Sequence, residues 1–282
     1  MDAVLGTALG AVDPFRTSDG VLLHRRVWEP VGSPRGDLLL GHGIGESLSR
    51  YTYAARAFAE GGWRVIAWDL RGHGRSEGAL GHVDRWERYH LDLAEQLAAL
   101  RRPGRKLVVV AHSMGALIAL GAAAHREALP DRFVLSAPAL DAAVAGWKRA
   151  LAPYLSRVVP MLRIPTGIGS DLDPGDSMPS EEPAPPPWVL AVTARMGDEA
   201  FRAQREAHAL VARGGALGVP TLVIHGTNDR IVRPEWCAPI SALSDVEYYP
   251  LEGFNHHPFA TRRYREAVEI SLRFLNADKT AD

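Results

Sequence analysis

Val83, Trp86, Tyr89, Leu93, Leu97 and Leu100 recur every three or four residues, which lines them up on one face of a helix and leaves the charges on the other. Elsewhere the apolar residues come in short unbroken runs. Residues 106–111 (KLVVVA) are too few for a helix and continuous enough for a central parallel strand. Runs at 37–40, 63–68, 133–135, 221–224 and 246–249 also read as strands. Residues 13–28 read as a hairpin, with turn chemistry at Ser18-Asp19-Gly20 and strand formers from Val21 to Trp28. Helices are expected at 51–60, closed by Gly61-Gly62, at the Ala-rich segment 113–125, and at 259–275. Strands alternating with helices after an opening hairpin predict an α/β fold whose mostly parallel sheet is covered on both faces.

The alternation lapses between 139 and 218, where no strand is evident. Length alone, 282 residues, is nearly enough for two domains. The pattern points instead to one core, residues 1–138 and 219–282, interrupted by a lid of about 80 residues, 139–218. Its first part has helical spacing, and a loop rich in Pro and acidic residues follows at 173–187. The face formed by Trp147, Leu151, Leu155 and Val158 is expected to pack on the core or line a pocket; transient contact with a lipid surface is the other reading.

Composition narrows the partners. Lys and Arg number 32 against 33 Asp and Glu, a net charge of -1, so no basic surface is set up to neutralise nucleic-acid phosphates. A single cysteine, Cys237, excludes an internal disulfide framework. No stretch reaches the roughly 20 apolar residues that span a bilayer, and the apolar start of the chain has no Lys or Arg before it, so a cytoplasmic protein is expected. Oligomeric state is not encoded in any of these features.

Ala111-His112-Ser113-Met114-Gly115 falls between an expected strand and an expected helix. Small residues two places either side of a serine let the backbone turn sharply enough to lift its hydroxyl above the sheet, the geometry of a nucleophile. A serine hydroxyl needs a base, and the base needs an orienting carboxylate; in this arrangement the acid precedes the histidine along the chain. Asp229 hangs from the end of the strand Leu222-Val223-Ile224. His256 and His257 both follow the next strand, and the spacing Gly253-x-x-His256 favours His256 as base. The oxyanion of a tetrahedral intermediate needs backbone donors: the N–H of Met114 is one, and Ile44, in the Gly41-His42-Gly43-Ile44-Gly45 turn after a buried strand, is the expected second. His42 and Gly43 of that turn are placed in the substrate pocket. His73, His112 and His225 sit at strand ends, where ring-to-backbone hydrogen bonds are expected, and His82, His90, His125 and His208 read as ordinary helix or loop residues. No H-E-x-x-H or similar spacing occurs, so neither a metal nor a cofactor is expected.

These motifs, taken together, resemble the α/β-hydrolases of the monoacylglycerol lipase and lysophospholipase group, which is grouped with the serine aminopeptidases. The matching segments are His42-Gly43-Ile44-Gly45-Glu46 with Arg50-Tyr51, Trp68-Asp69-Leu70-Arg71-Gly72-His73-Gly74-Arg75-Ser76, His112-Ser113-Met114-Gly115, Leu135-Ser136-Ala137-Pro138, His225-Gly226-Thr227-Asn228-Asp229 and Gly253-Phe254-Asn255-His256. They run from about residue 20 to 275, the lid excepted. The resemblance implies Ser113 as nucleophile, Asp229 as acid, His256 as base and Ile44 and Met114 as the oxyanion hole. It implies hydrolysis of a small ester or lipid-like monoester through an acyl-enzyme, with a general short-chain carboxylesterase, or a peptidase or acyltransferase, as alternatives. Three positions depart from the group: Ser47 stands where histidine is usual after Gly-Glu, His257 replaces an acidic residue, and Ala111 replaces the first glycine of the serine turn.

Overall fold

Strands β1 (Ala11–Val12), β2 (Phe15–Arg16), β3 (Leu22–Leu23), β4 (Arg25–Trp28), β5 (Gly36–Gly41) and β6 (Arg64–Trp68) form the first part of the chain. β7 (Lys106–His112), β8 (Arg132–Ser136), β9 (Arg163–Pro165), β10 (Ala191–Thr193), β11 (Thr221–Gly226) and β12 (Val246–Leu251) follow. The structure is a computed structural model and describes residues 9–125, 128–167, 176–186 and 188–277. Eight strands pair in the order β1-β4-β6-β5-β7-β8-β11-β12. From β6 to β12 every neighbour is parallel, while β4 runs antiparallel to β6 and β1 antiparallel to β4.

The pleat explains why the central runs are apolar throughout. Along β7, Leu107, Val109 and Ala111 enter one core cluster while Val108 and Val110 enter the other. Helices α1 (Thr52–Glu60), α2 (Glu87–Leu100), α3 (Met114–Ala124), α4 (Gly146–Val158), α5 (Ala194–Arg213) and α6 (Tyr264–Asn276) complete the architecture, with short helical turns between them. α2, α3 and α5 bury their apolar residues with the Val109 cluster, and α1 and α6 with the Val108 cluster. Each fully buried Val or Leu there contributes about 1.5–3 kcal/mol.

Several expectations are corrected in detail. The hairpin of 13–28 is shorter: β2 pairs only with β3, and the chain breaks at His24 so that β4 can enter the main sheet. The last helix begins at Tyr264, because the extended backbone of Thr261 separates it from the turn Pro258–Ala260. Among the described residues of 139–218 there are two strands where none was expected. β9 and β10 pair antiparallel, each three residues long and so too short to show alternation.

The apolar face of α4 is also not where its spacing placed it. Trp147 is 67% exposed and Val158 58%, Leu151 is exposed and Leu155 half-buried, whereas Ala152 and Ser156 are buried. Small residues one turn apart let α4 approach α5 closely, so the bulky ones are turned outward. The described part of the segment between β9 and β10 is tied back to the core. Glu182 pairs with Arg26 (2.9 Å) and Arg75 (2.6 Å), Glu181 with Arg56 (2.9 Å), and the Val189 N–H donates to Gly45 O (2.9 Å). Residues 1–8 of the apolar start and residues 173–175 and 187 of the acidic, Pro-rich loop lie outside the described residues. No helix among the described residues is long and apolar enough to cross a membrane.

Candidate active site

Ser113 stands between β7 and α3 with φ 51° and ψ -111°, a backbone conformation that side chains rarely adopt. Such strain, of order 1–3 kcal/mol, persists only where its surroundings over-determine it. Here the Ser113 N–H donates to Ser136 O (2.8 Å), and the Ser113 carbonyl accepts from Leu117 (3.0 Å) and Ala139 (3.1 Å). A Cβ on Gly115 would come within 2.7 Å of His42 O, so only glycine lets the start of α3 lie against the end of β5.

The expected partners converge on this serine. Ser113 Oγ lies 3.1 Å from His256 Nε2, and His256 Nδ1 lies 2.7 Å from Asp229 Oδ2. Asp229 leaves the end of β11, and His256 the loop after β12; a Cβ on Gly226 would meet Phe254 O at 2.3 Å, so this glycine lets the two loops touch. Asp229 Oδ1 accepts from the N–H groups of Ile231 (2.9 Å) and Val232 (3.0 Å), and Oδ2 lies 3.1 Å from His225 Nε2. Burial alone would raise the Asp229 carboxyl, but the hydrogen bonds from His225 and His256 prevail and hold it well below the usual carboxylate range. An ionised, immobile carboxylate therefore faces Nδ1, and Nε2 is left to take a proton from Ser113.

Met114 opens α3, so its N–H is among the first four that have no helical acceptor. A Cβ on Gly43 would lie 3.1 Å from Ser113 Cβ, which places the Gly43-Ile44 turn directly against the serine. His42, expected in the substrate pocket, follows β5 directly and its side chain is buried. Its Nδ1 lies 2.7 Å from Gly43 O and its Nε2 accepts from the Leu70 N–H at 2.9 Å, so both ring nitrogens brace backbone and neither is free for a substrate.

A second polar cluster lies behind His256. Glu46, fully enclosed, accepts from His257 Nδ1 (2.9 Å), Arg50 (2.9 Å) and the Tyr51 hydroxyl (2.6 Å). Burial would raise its carboxyl, but His257 and the Arg50 guanidinium keep it ionised, well below the usual range. Burial drives the His257 imidazole down to about 4, against the pull of Glu46. The His112 ring packs 4.7 Å from that of His256 and 5.0 Å from that of His257. Contrary to the expected ring-to-backbone bond, its Nδ1 lies 3.2 Å from the Ser136 hydroxyl. His225, also assigned only to backbone bonding, makes that bond (Val232 O, 2.8 Å) and in addition holds Asp229. Its position four residues before the acid was the available signal; the Glu46–His257 pair joins distant segments and had none.

A strained serine between a parallel strand and a helix, served by a histidine and an acid from later strand ends, defines an α/β-hydrolase. The profile described as serine aminopeptidase, S33, matches residues 32–259. The chain belongs to that family and is a hydrolase of the monoacylglycerol-lipase-like serine type. It is 30% identical over 238 residues to a monoacylglycerol lipase of Mycolicibacterium smegmatis, covering 77% of this chain and 79% of that one. The crystal structure of Paleococcus ferrophilus monoacylglycerol lipase superposes with a TM-score of 0.75 at 26% identity, covering 90% and 98% of the two chains. A soluble variant of the Saccharomyces cerevisiae monoglyceride lipase in complex with a substrate analog shares the fold, with a TM-score of 0.75 at 19% identity and 94% coverage of each chain.

Proposed function

We propose that this protein cleaves lipid-like carboxylic monoesters, of the monoacylglycerol or lysophospholipid type, through an acyl-enzyme on Ser113. The observation that carries this reading is the continuous relay from Ser113 Oγ through His256 to Asp229, at 3.1 and 2.7 Å. Ser113 attacks the ester carbonyl as His256 Nε2 takes its proton. The N–H groups of Ile44 and Met114 hold the oxyanion, and His256 returns the proton to the leaving alcohol. Water, activated by the same histidine, then releases the acid. Asp229 stays ionised throughout and fixes the imidazole.

The substrate class draws support from the relatives named as monoacylglycerol lipases and from a phospholipase of Bacillus subtilis, 23% identical over 260 residues. Residues 139–218 act as the lid in this reading, and the outward apolar face of α4 meets the lipid surface from which substrate is drawn. The deciding experiment is turnover of a chain-length series of monoacylglycerols beside short p-nitrophenyl esters, with Ser113→Ala as control. Preference for long-chain monoacylglycerols is expected. Cleavage of acetate and butyrate esters alone would make the protein a general carboxylesterase, and cleavage of amides or acyl transfer to added alcohols would move it to another reaction class.

A further inference from the structure

His112, His256 and His257 come from two separate parts of the chain and stack as a triangle, with ring centroids 4.7, 5.0 and 4.8 Å apart. One nitrogen from each ring lies within 4.8 Å of the other two. The Nδ1 atoms are all engaged from outside the triangle: His256 by Asp229 (2.7 Å), His257 by Glu46 (2.9 Å) and His112 by the Ser136 hydroxyl (3.2 Å). Nε2 is thus the remaining ligating atom on each ring. On His112 and His257 it is buried and has no hydrogen-bond partner among the described residues, and on His256 it faces Ser113. Metal-binding histidines are commonly held by a carboxylate or hydroxyl on one nitrogen, which leaves the other free to ligate.

We propose that these three histidines form a zinc-binding site that switches the hydrolase off, because an ion held there takes the Nε2 lone pair of His256 away from Ser113. The proposal rests on the assignment of His256 as catalytic base. Three neutral nitrogen ligands suit Zn2+, which readily accepts imidazole and leaves a fourth position for water. Nitrogens within 4.8 Å of one another lie no more than about 2.8 Å from a common centre, against Zn–N bonds of about 2.0–2.1 Å, so ligation draws the rings inward by up to about 0.7 Å. Sequence spacing gave no hint of such a site, since the ligands meet only in the fold.

The experiment is equilibrium dialysis of the full chain against ZnSO4, run beside ester turnover at the same zinc concentrations. One zinc per chain is expected, with inhibition following occupancy and reversed by a chelator. Ser113→Ala, which lacks the nucleophile and no ligand, binds zinc as well as the wild type. His257→Gln weakens binding by at least about tenfold and raises the inhibitory zinc concentration by the same factor, each variant measured against its own metal-free activity. His112→Asn serves the same purpose if His257→Gln does not fold, with thermal unfolding as the check. Absence of stoichiometric binding would overturn the proposal. So would zinc binding or inhibition unchanged in a folded His257→Gln or His112→Asn protein. The dialysis arm needs no turnover: stoichiometric zinc lost in the histidine variants, in a wild type that cleaves no ester, would overturn the esterase assignment and the inhibitory role while leaving the ligand set in place.

Discussion

Glu46 Oε1 lies 2.9 Å from His257 Nδ1, joining the loop after β5 to the loop that carries the histidine facing Ser113. The carboxylate is shared with Arg50, whose side chain is itself only 15% exposed. Glu46→Ala removes the one acidic partner that a largely buried guanidinium has among the described residues, and is expected to destabilise the fold by about 3–5 kcal/mol, with Glu46→Gln costing less. Urea unfolding monitored by circular dichroism measures it; a loss under about 1 kcal/mol would show the pair to be ornamental to stability.

Strain at Ser113 makes a second prediction. Glycine adopts φ 51° without the clash, so Ser113→Gly should stabilise the protein by about 1 kcal/mol while abolishing turnover. Ser113→Ala loses the hydroxyl but keeps the Cβ and therefore the strain. Comparison of the two denaturation midpoints isolates the backbone term.

The Asp229 carboxylate holds the histidine tautomer that leaves Nε2 free. Asp229→Asn keeps the shape but offers a donor to Nδ1, and kcat is expected to fall by about 10⁴-fold with the fold intact. Steady-state ester kinetics give the ratio. A fall of less than tenfold would mean that another group orients His256.

Two buried imidazoles, His90 and His257, are pushed down to about 4 by burial. Above pH 6.5 neither the folded nor the unfolded chain protonates them, and stability is at its full value. As pH falls from about 6.5 to 4 the unfolded chain takes up protons that the folded one refuses, and each histidine costs stability on the order of 3 kcal/mol across that window. Both nitrogens of His90 are buried without hydrogen-bond partners among the described residues, so His90→Leu should flatten part of the slope of unfolding free energy against pH. An unchanged slope would contradict this origin.

The outward side of α4 carries Trp147, Leu151 and Val158. Leu151→Glu with Val158→Glu should weaken binding to phospholipid vesicles and slow cleavage of vesicle-borne monoacylglycerol several-fold, while turnover of a soluble p-nitrophenyl ester stays unchanged. Equal loss on both substrates would mean that the face serves the core and not a lipid surface.

The features that the chain made legible are those written locally. An apolar run such as 106–111 can be buried on both sides only as an inner strand, and small residues around Ser113 are needed by the turn itself, so both could be read without knowing what lay around them. The order of serine, acid and histidine likewise follows from strand ends lying side by side. What escaped depends on which surfaces meet. The spacing of Trp147, Leu151, Leu155 and Val158 defines an apolar stripe but not its neighbour, and Ala152 and Ser156 took the inward side by virtue of their size. His42 was read from its place beside the glycine turn, whereas its ring is consumed by Gly43 and Leu70. Glu46 and His257 meet only through the sheet that separates them in sequence.

The most direct test of the catalytic assignment is labelling with a fluorophosphonate probe, followed by mass spectrometry of the modified peptide. The Ser113–His256–Asp229 relay predicts one adduct, on Ser113, absent in Ser113→Ala together with all ester turnover. A folded wild-type protein that takes no label, or a Ser113→Ala protein that still turns over ester, would contradict it.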